Sequence, residues 1–168
     1  QLYRPRKINS LYFDNYYLGM YHDSIEGITP RKKIRIRNYP FSSPNNFFVE
    51  NKISSVEGRY KTNHEISNED YDNYIKKGFF DSKYGICKPA LNIDYDREYL
   101  VIDNIRITLD TNIKYSLYGK PQQLKDPNII VELKTSINQD IDKLFMKFPF
   151  QETRFSKYCN GIDMWNLD

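Results

Sequence analysis

Apolar and polar residues alternate along most of this chain, in one segment after another. In residues 32–39, Lys33, Arg35 and Arg37 alternate with Ile34 and Ile36. Because successive side chains of a strand point to opposite sides, this pattern predicts a strand with one basic and one apolar face. The same alternation predicts strands at residues 8–14, 46–54, 58–64, 90–101, 104–111 and 128–136, with residues 112–118 as an extension or a further short strand.

Two segments depart from the alternation and have helical spacing. Ser67 and Asp70 resemble a capping box at the start of a helix, and Gly78 is placed to end that helix. A second short helix is predicted at residues 137–146, where apolar residues recur at helical intervals. Residues 156–161 are expected to form a turn that contains Cys159, and Trp165 is expected to pack as an anchor beyond it.

The order of the elements predicts an α+β protein that is mainly antiparallel β. At least six strands follow one another through short connections, without the strand–helix–strand alternation of a parallel sheet, so an antiparallel sheet or barrel is expected. A chain of 168 residues is of the usual size for one domain. We therefore treat residues 1–168 as a single domain.

Composition narrows the class of protein. With 39% hydrophobic and 15% aromatic residues, the chain is not disordered. No apolar run approaches the roughly 20 residues of a membrane span and no signal peptide is visible, so we expect a cytoplasmic protein. Cys87 and Cys159 lack metal-ligand spacing and are expected to be reduced thiols. The abundance of Asn, Lys, Ile and Tyr is typical of an AT-rich bacterial genome.

Basic residues recur on one face of the predicted strands. A single basic face is compatible with an ordinary solvated sheet, but the bias to cations across five segments favours a closed barrel with a basic lumen. Glu50, Asp110 and Glu132 share these faces and are too few to neutralise the cations, so a polyanionic ligand is expected. The cations are Arg35, Arg37, Lys52, Arg59, Lys61, Arg97, Arg106 and Lys134.

Two interpretations of Glu132 remain open. Beside bound phosphates a carboxylate would be repelled unless a divalent cation lay between them, which makes Glu132 a candidate metal ligand. A plain ion pair with an arginine of the lumen explains the same residue equally well.

Seven of these segments occur in the order of a known family. The chain resembles the VTC domain, the polyphosphate polymerase branch of the triphosphate tunnel metalloenzymes, which include the CYTH-type triphosphatases. The segments are SLYFDN at residues 10–15, RKKIRIRNY at 31–39, VENK at 49–52, DYDREY at 94–99, IRITLD at 105–110, VELK at 131–134 and FSKYCNG at 155–161.

The resemblance implies a tunnel-like barrel of about eight antiparallel strands with flanking helices. It also implies ATP as phosphoryl donor, a growing inorganic polyphosphate chain as acceptor, and a Mn or Mg ion held by Glu132. Lys61, Arg59 and Arg154 match the family pattern less closely. The residues that the resemblance makes phosphate-binding or catalytic are Arg35, Arg37, Lys52, Lys61, Tyr95, Arg97, Arg106, Lys134, Ser156 and Lys157.

One part of the family pattern is not found. In such proteins a basic strand and a helix precede the SLYFD segment, whereas only nine residues precede Ser10 here. We therefore expect the first strand to be missing from this chain, which would leave the barrel with an open seam.

Two other functions remain open at this point. A related hydrolase would use water as acceptor and release phosphate from tripolyphosphate, and a module without activity would only bind polyanions. Nucleic acid is not expected as the partner, although basic strands rich in Tyr resemble a stacking platform. His22 and His64 lack a partner at catalytic spacing and are expected to lie at the surface.

Overall fold

The computed structural model describes residues 3–102, 105–134, 146, 148 and 151–165. These residues form nine strands and three helices, and no helix among them is long and apolar enough to span a bilayer. The helix predicted at residues 137–146 lies outside the described residues except for Met146. The elements are β1 (Tyr3–Asp14), α1 (Gly19–Glu26), β2 (Arg31–Tyr39), β3 (Ser43–Ser54), β4 (Arg59–Ile66), α2 (Asn68–Lys77), β5 (Phe79–Asp81), β6 (Gly85–Ile102), β7 (Ile105–Leu117), β8 (Leu124–Lys125), β9 (Ile130–Lys134) and α3 (Lys157–Met164).

The strands form one antiparallel sheet, which confirms the predicted fold class. Its order is β4-β3-β2-β1-β6-β7-β8, with β5 paired to β6 and β9 paired to β7. The sheet is curved. Within the described residues no strand joins β4 to β9, so the sheet is open rather than a closed barrel. The curvature gives it an inner, concave face and an outer face.

The outer face of β1, β2 and β3 is apolar. Phe13, Ile34, Ile36 and Val49 are each at most 4% exposed and pack in one cluster. Helix α2 covers this cluster, and the ring of its Tyr71 stacks on Phe47 with centroids 4.1 Å apart. The alternation of β2 and β3 therefore predicted correctly which residues face the outer core.

Helix α2 begins and ends as predicted. The Ser67 side chain accepts a hydrogen bond from the backbone N–H of Asp70 at 3.0 Å. The Gly78 backbone N–H donates to the carbonyl of Tyr74. Gly78 has φ of 80° and lies against the Cys87 carbonyl, so a side chain at this position would collide with the sheet.

Helix α3 fills one end of the concave face. Its Tyr158 ring stacks on Tyr12 at 5.0 Å, and Ile162 is fully buried among the inner apolar residues. A side chain at Gly161 would reach within 2.6 Å of Leu91 and Tyr115, so glycine permits the close approach of helix to sheet. Trp165 packs against the same cluster, as predicted.

The turn expected at residues 156–161 is wrong, because most of this segment belongs to α3. The Ser156 side chain caps the helix by accepting from the backbone N–H of Cys159 at 3.4 Å. Tyr158, Cys159 and Ile162 then form a buried stripe at helical spacing. The stripe is too short to stand out in the sequence beside the polar residues that interrupt it.

An irregularity in β7 brings two different segments of the strand to the inner face. Asp110 and Ile113 would point to opposite sides of a regular strand, yet both are buried toward the inside. Asn112 lies between them with φ of 51°, and the pairing with β6 shifts at this point. The shift acts as a β-bulge and reverses the alternation.

Helix α1 was not predicted from the sequence. Asp14, at the end of β1, accepts hydrogen bonds from the backbone N–H groups of Met20 and Tyr21 and from the Tyr158 hydroxyl. Burial raises the pKa of Asp14 despite these bonds. One carboxylate thus ties β1 to both α1 and α3.

Candidate functional site

A carboxylate on β3 holds the guanidinium groups of β2. Glu50 lies opposite Arg35 in the β2–β3 pairing and is 3% exposed. It accepts from Arg35 Nε at 2.7 Å and from Arg37 Nη1 at 3.5 Å. Lys61 Nζ of β4 donates to the same carboxylate at 3.0 Å. Three cations therefore share one buried carboxylate.

The three cations around Glu50 outnumber this one carboxylate, and the imbalance of charge determines the pKa values. Burial alone would raise the pKa of Glu50, but the charges of Arg35 and Arg37 outweigh burial and lower it to about 2. The pKa of Tyr12 is also lowered, because Arg35 and Arg37 outweigh the effect of its burial. Glu50 is therefore ionised at neutral pH and excess positive charge remains beside it.

A second carboxylate, on β7, organises the opposite wall. Asp110 is 1% exposed and accepts from Arg97 Nε at 2.5 Å and Nη2 at 2.7 Å, as a bidentate pair. Lys157, the first residue of α3, contacts the same carboxylate at 2.5 Å. Burial would raise the pKa of Asp110, but its hydrogen bond from Arg97 and the charge of Lys157 lower it.

Tyr95 links the two carboxylate groups. Its hydroxyl accepts from Arg37 Nη2 at 3.1 Å. Its ring lies 5.3 Å from the Arg97 guanidinium and 5.0 Å from Lys157 Nζ, within the range of cation–π interactions. The predicted position of Tyr95 on the inner wall is therefore what the structure shows.

The start of α3 reaches across to β2. Lys33 Nζ donates to the Ser156 side chain at 2.8 Å. Since Lys157 contacts Asp110 of β7, two consecutive residues connect opposite walls of the concave face. The family resemblance expects Ser156 and Lys157 at one end of the tunnel, and the structure places them beside Lys33 of β2 and Asp110 of β7, the carboxylate that holds Arg97.

Basic residues nearer the edges of the sheet are more open to solvent. Arg97, Arg106 and Lys134 line a shared cleft near β9. Although Lys52 reaches solvent, partial desolvation lowers its pKa, the charge of Lys33 lowers it further, and Glu132 acts in the opposite direction. The charge of Glu132 on β9 thus acts on β3, although the two strands are not paired.

The expectation of eight cations enclosed in one lumen is only partly correct. Arg35, Arg37 and Arg97 are held inside by buried carboxylates. Lys52, Lys61, Arg106 and Lys134 are exposed, because they lie on or near the open edges of the sheet. The concave face therefore has a buried polar centre and an exposed basic rim.

The surroundings of Glu132 are compatible with one protein ligand to a divalent metal ion. It is half-exposed on β9, and its Oε1 lies 3.7 Å from Lys134 Nζ. Among the described residues no group of three or more His, Cys, Asp and Glu side chains comes together. One hard oxygen ligand suits Mg²⁺ or Mn²⁺ if phosphates and water complete the coordination.

Several residues considered from the sequence lie outside this site. Arg154 donates to the backbone carbonyl of Ser24 in α1 at 2.6 Å, and Arg59 is exposed at the start of β4. His64 is exposed and lies opposite Val49, while His22 packs edge-on against Tyr21. Both cysteines are buried free thiols, as expected.

Sequence reasoning missed Tyr12 and Ser10 as members of the site. The Tyr12 hydroxyl accepts from Arg35 Nη1 at 2.6 Å, and the Ser10 hydroxyl accepts from Arg37 Nε at 3.3 Å. The signal was present in the alternation of β1, where both point away from Leu11 and Phe13. It was hidden because neither side chain is charged.

These features define an antiparallel tunnel-type fold with a basic concave face. The sequence profile of the VTC domain matches residues 3–85 and 80–166, so the chain belongs to the VTC domain family. A solved structure of a candidate adenylate cyclase from Bacillus halodurans has the same fold, with a TM-score of 0.64 and 14% identity over 96% of this chain and 82% of that one. A search of the curated proteins gave no significant match.

Proposed function

We propose that this chain is a polyphosphate polymerase that transfers the γ-phosphoryl group of ATP to the end of a growing polyphosphate chain. The observation that carries the proposal is the set of arginines on the concave face, each held by a buried carboxylate. Arg35 and Arg37 are held by Glu50, and Arg97 is held by Asp110. Membership of the VTC domain family supports the assignment.

The arginines are prepared for a phosphate ligand before it arrives. A guanidinium presents N–H groups in a fixed plane, and Glu50 and Tyr12 fix that plane for Arg35 from two directions. Donors that are already oriented need no rearrangement when negative charge develops on the transferred group. Such charge stabilisation and positioning are the main demands of phosphoryl transfer.

The proposed reaction needs little proton transfer from the protein. An anionic oxygen of the terminal phosphate attacks the γ-phosphorus, the bond from that phosphorus to the β-bridging oxygen breaks, and ADP leaves. Arg35, Arg37 and Arg97 hold the phosphates, while Lys157 and Lys33 supply further positive charge from the two walls. No general base is required, because the attacking oxygen is already anionic.

Glu132 would hold a Mg²⁺ or Mn²⁺ ion at the rim of the concave face. The chemistry that such an ion supplies is neutralisation of charge on the β- and γ-phosphate oxygens. Lys134 contacts Glu132, and Lys52 interacts with it electrostatically. Both lysines would then bind the phosphates beside the ion.

The experiment is incubation of the purified chain with ATP and Mn²⁺, followed by gel electrophoresis with a polyphosphate stain. We expect long chains from the wild type and about 100-fold slower synthesis from Arg37→Gln. The control is Arg31→Gln, an arginine of the same strand whose guanidinium donates to the backbone carbonyls of Gly27 and Ile28 rather than to a buried carboxylate.

Other products would contradict the proposal in identifiable ways. Phosphate released from tripolyphosphate without chain growth indicates a hydrolase. Cyclic AMP indicates the activity assigned to the Bacillus halodurans structure. Thermal stabilisation by polyphosphate without any turnover indicates a binding module.

A further inference from the structure

Tyr12 stands at the boundary between the apolar end of the concave face and its charged centre. The residue is 7% exposed, and its ring stacks on Tyr158 with an angle of 12° between the planes. The Arg35 guanidinium lies 5.5 Å from the centre of the same ring. The ring is thus fixed by α3 and Arg35, and the hydroxyl has a defined position.

In the described residues, the Tyr12 hydroxyl acts as a hydrogen-bond acceptor but not as a donor. Its oxygen accepts from Arg35 Nη1 at 2.6 Å. Within the part of the chain that the structure describes, no acceptor is recorded for its own O–H group. Glu50, the carboxylate of this network, is already shared by three cations. A buried hydroxyl donor that lacks an acceptor is costly unless a ligand supplies one.

The surroundings of the hydroxyl select for an anionic acceptor. The positive charges of Arg35, Arg37 and Lys33 all act on Tyr12 and lower its pKa, against the opposing effect of burial. An O–H group with a lowered pKa is a stronger hydrogen-bond donor. An oxygen that approaches this group meets three cations at the same time, which favours phosphate over a neutral acceptor.

We infer that Tyr12 is a phosphate-binding residue, whose hydroxyl donates a hydrogen bond to a phosphate oxygen of the triphosphate held by Arg35 and Arg37. The inference rests on the proposed function, because it assumes that the concave face holds a triphosphate. Tyr12 then contributes a neutral donor among charged ones, at the point where α3 meets the wall of the tunnel.

The test is the affinity of Tyr12→Phe for inorganic tripolyphosphate, measured by isothermal titration calorimetry. The substitution keeps the ring and its stacking on Tyr158 but removes the donor. We expect about tenfold weaker binding. The matched control is Tyr84→Phe, which removes a buried hydroxyl that donates to Asp23 at 2.7 Å on the other side of the sheet. Its affinity should equal that of the wild type.

A double-mutant cycle separates direct contact from an effect through Arg35. If the hydroxyl only positions Arg35, Tyr12→Phe has no further effect on a chain that already carries Arg35→Gln. If it bonds to phosphate, the substitution weakens binding several-fold in that background too. Equal affinities of Arg35→Gln with and without Tyr12→Phe would overturn the inference.

The outcomes also distinguish this inference from the proposed function. A wild type that binds tripolyphosphate, with Tyr12→Phe binding equally well, contradicts only the role of Tyr12. A wild type that does not bind tripolyphosphate contradicts both. Because binding is measured without turnover, the result does not depend on whether the enzyme is a polymerase or a hydrolase.

Discussion

Both faces of β1, β2 and β3 contain deeply buried residues, but the chemistry of these residues differs between the faces. On the outer face Phe13 and Ile36 are 1% and 2% exposed, and on the inner face Glu50 and Arg37 are 3% and 7% exposed. The outer residues gain free energy from leaving water, whereas the inner charges lose hydration that only their mutual pairing offsets. Burial alone therefore does not distinguish a face that stabilises the fold from a face prepared for a ligand.

The comparison predicts that the outer face carries the larger share of stability. Phe13→Ala should lower the free energy of unfolding by about 4 kcal/mol, because a fully buried ring in edge contact with Phe79 leaves a cavity. Urea denaturation measures the change. The variant, where folded, should bind tripolyphosphate with wild-type affinity, so a loss of affinity in the folded fraction would show that the two faces are not independent.

Removing the inner carboxylate should destabilise the chain in a way that a ligand reverses. Glu50→Gln leaves Arg35, Arg37 and Lys61 without their shared counter-ion, and we expect a loss of about 3 kcal/mol. Tripolyphosphate replaces the missing negative charge, so it should raise the melting temperature of this variant more than that of the wild type.

Phe13→Ala provides the matched control for that rescue. Its cavity is apolar and a polyanion cannot fill it, so its melting temperature should rise only as much as that of the wild type. Equal shifts in Glu50→Gln and Phe13→Ala would mean that the ligand does not substitute for Glu50.

The sequence predicted the two faces well because alternation survives wherever a strand is regular. The side assignments of β2 and β3, including Glu50 on the basic face, are those of the structure. The cap and end of α2 were also predicted, since capping is local chemistry. The placement of Ser156 and Lys157 came from the family resemblance rather than from the pattern.

What the sequence did not predict depends on distant or irregular contacts. The bulge at Asn112 reverses the alternation of β7 and has no strong signal of its own. Helix α1 depends on Asp14, which accepts from its backbone. The number of cations that a carboxylate serves is set by strand neighbours, so the central roles of Glu50 and Asp110 became clear only in three dimensions.

The free energy of unfolding at acid pH should show the contribution of Glu50 directly. Its folded pKa of about 2 lies below the value of about 4.3 expected when the chain is unfolded. A carboxyl with a lowered folded pKa contributes stability above the unfolded pKa and loses it as pH falls toward the folded pKa. The stability difference between wild type and Glu50→Gln should therefore shrink by about 2 kcal/mol between roughly pH 5 and 2.

The measurement is urea denaturation of both proteins at several pH values. Asp110 also has a lowered pKa and loses stability in the same sense, but it is present in both proteins and cancels in the difference. A difference that stays constant from pH 5 to pH 2 would mean that Glu50 is not held as the ionised partner of the arginines.

The smallest effect is expected where the inner face meets solvent. Lys61 and Lys157 both contact a buried carboxylate, but their side chains are 50% and 15% exposed. Water screens the Lys61 pair, so Lys61→Gln should cost only about 0.5 kcal/mol of stability and weaken tripolyphosphate binding about threefold. Lys157→Gln, tested beside it by the same denaturation and calorimetry, should show clearly larger losses of both. Equal losses of stability and affinity in the two variants would contradict this comparison. They would mean that a lysine in the buried centre and a lysine at the exposed rim contribute the same free energy.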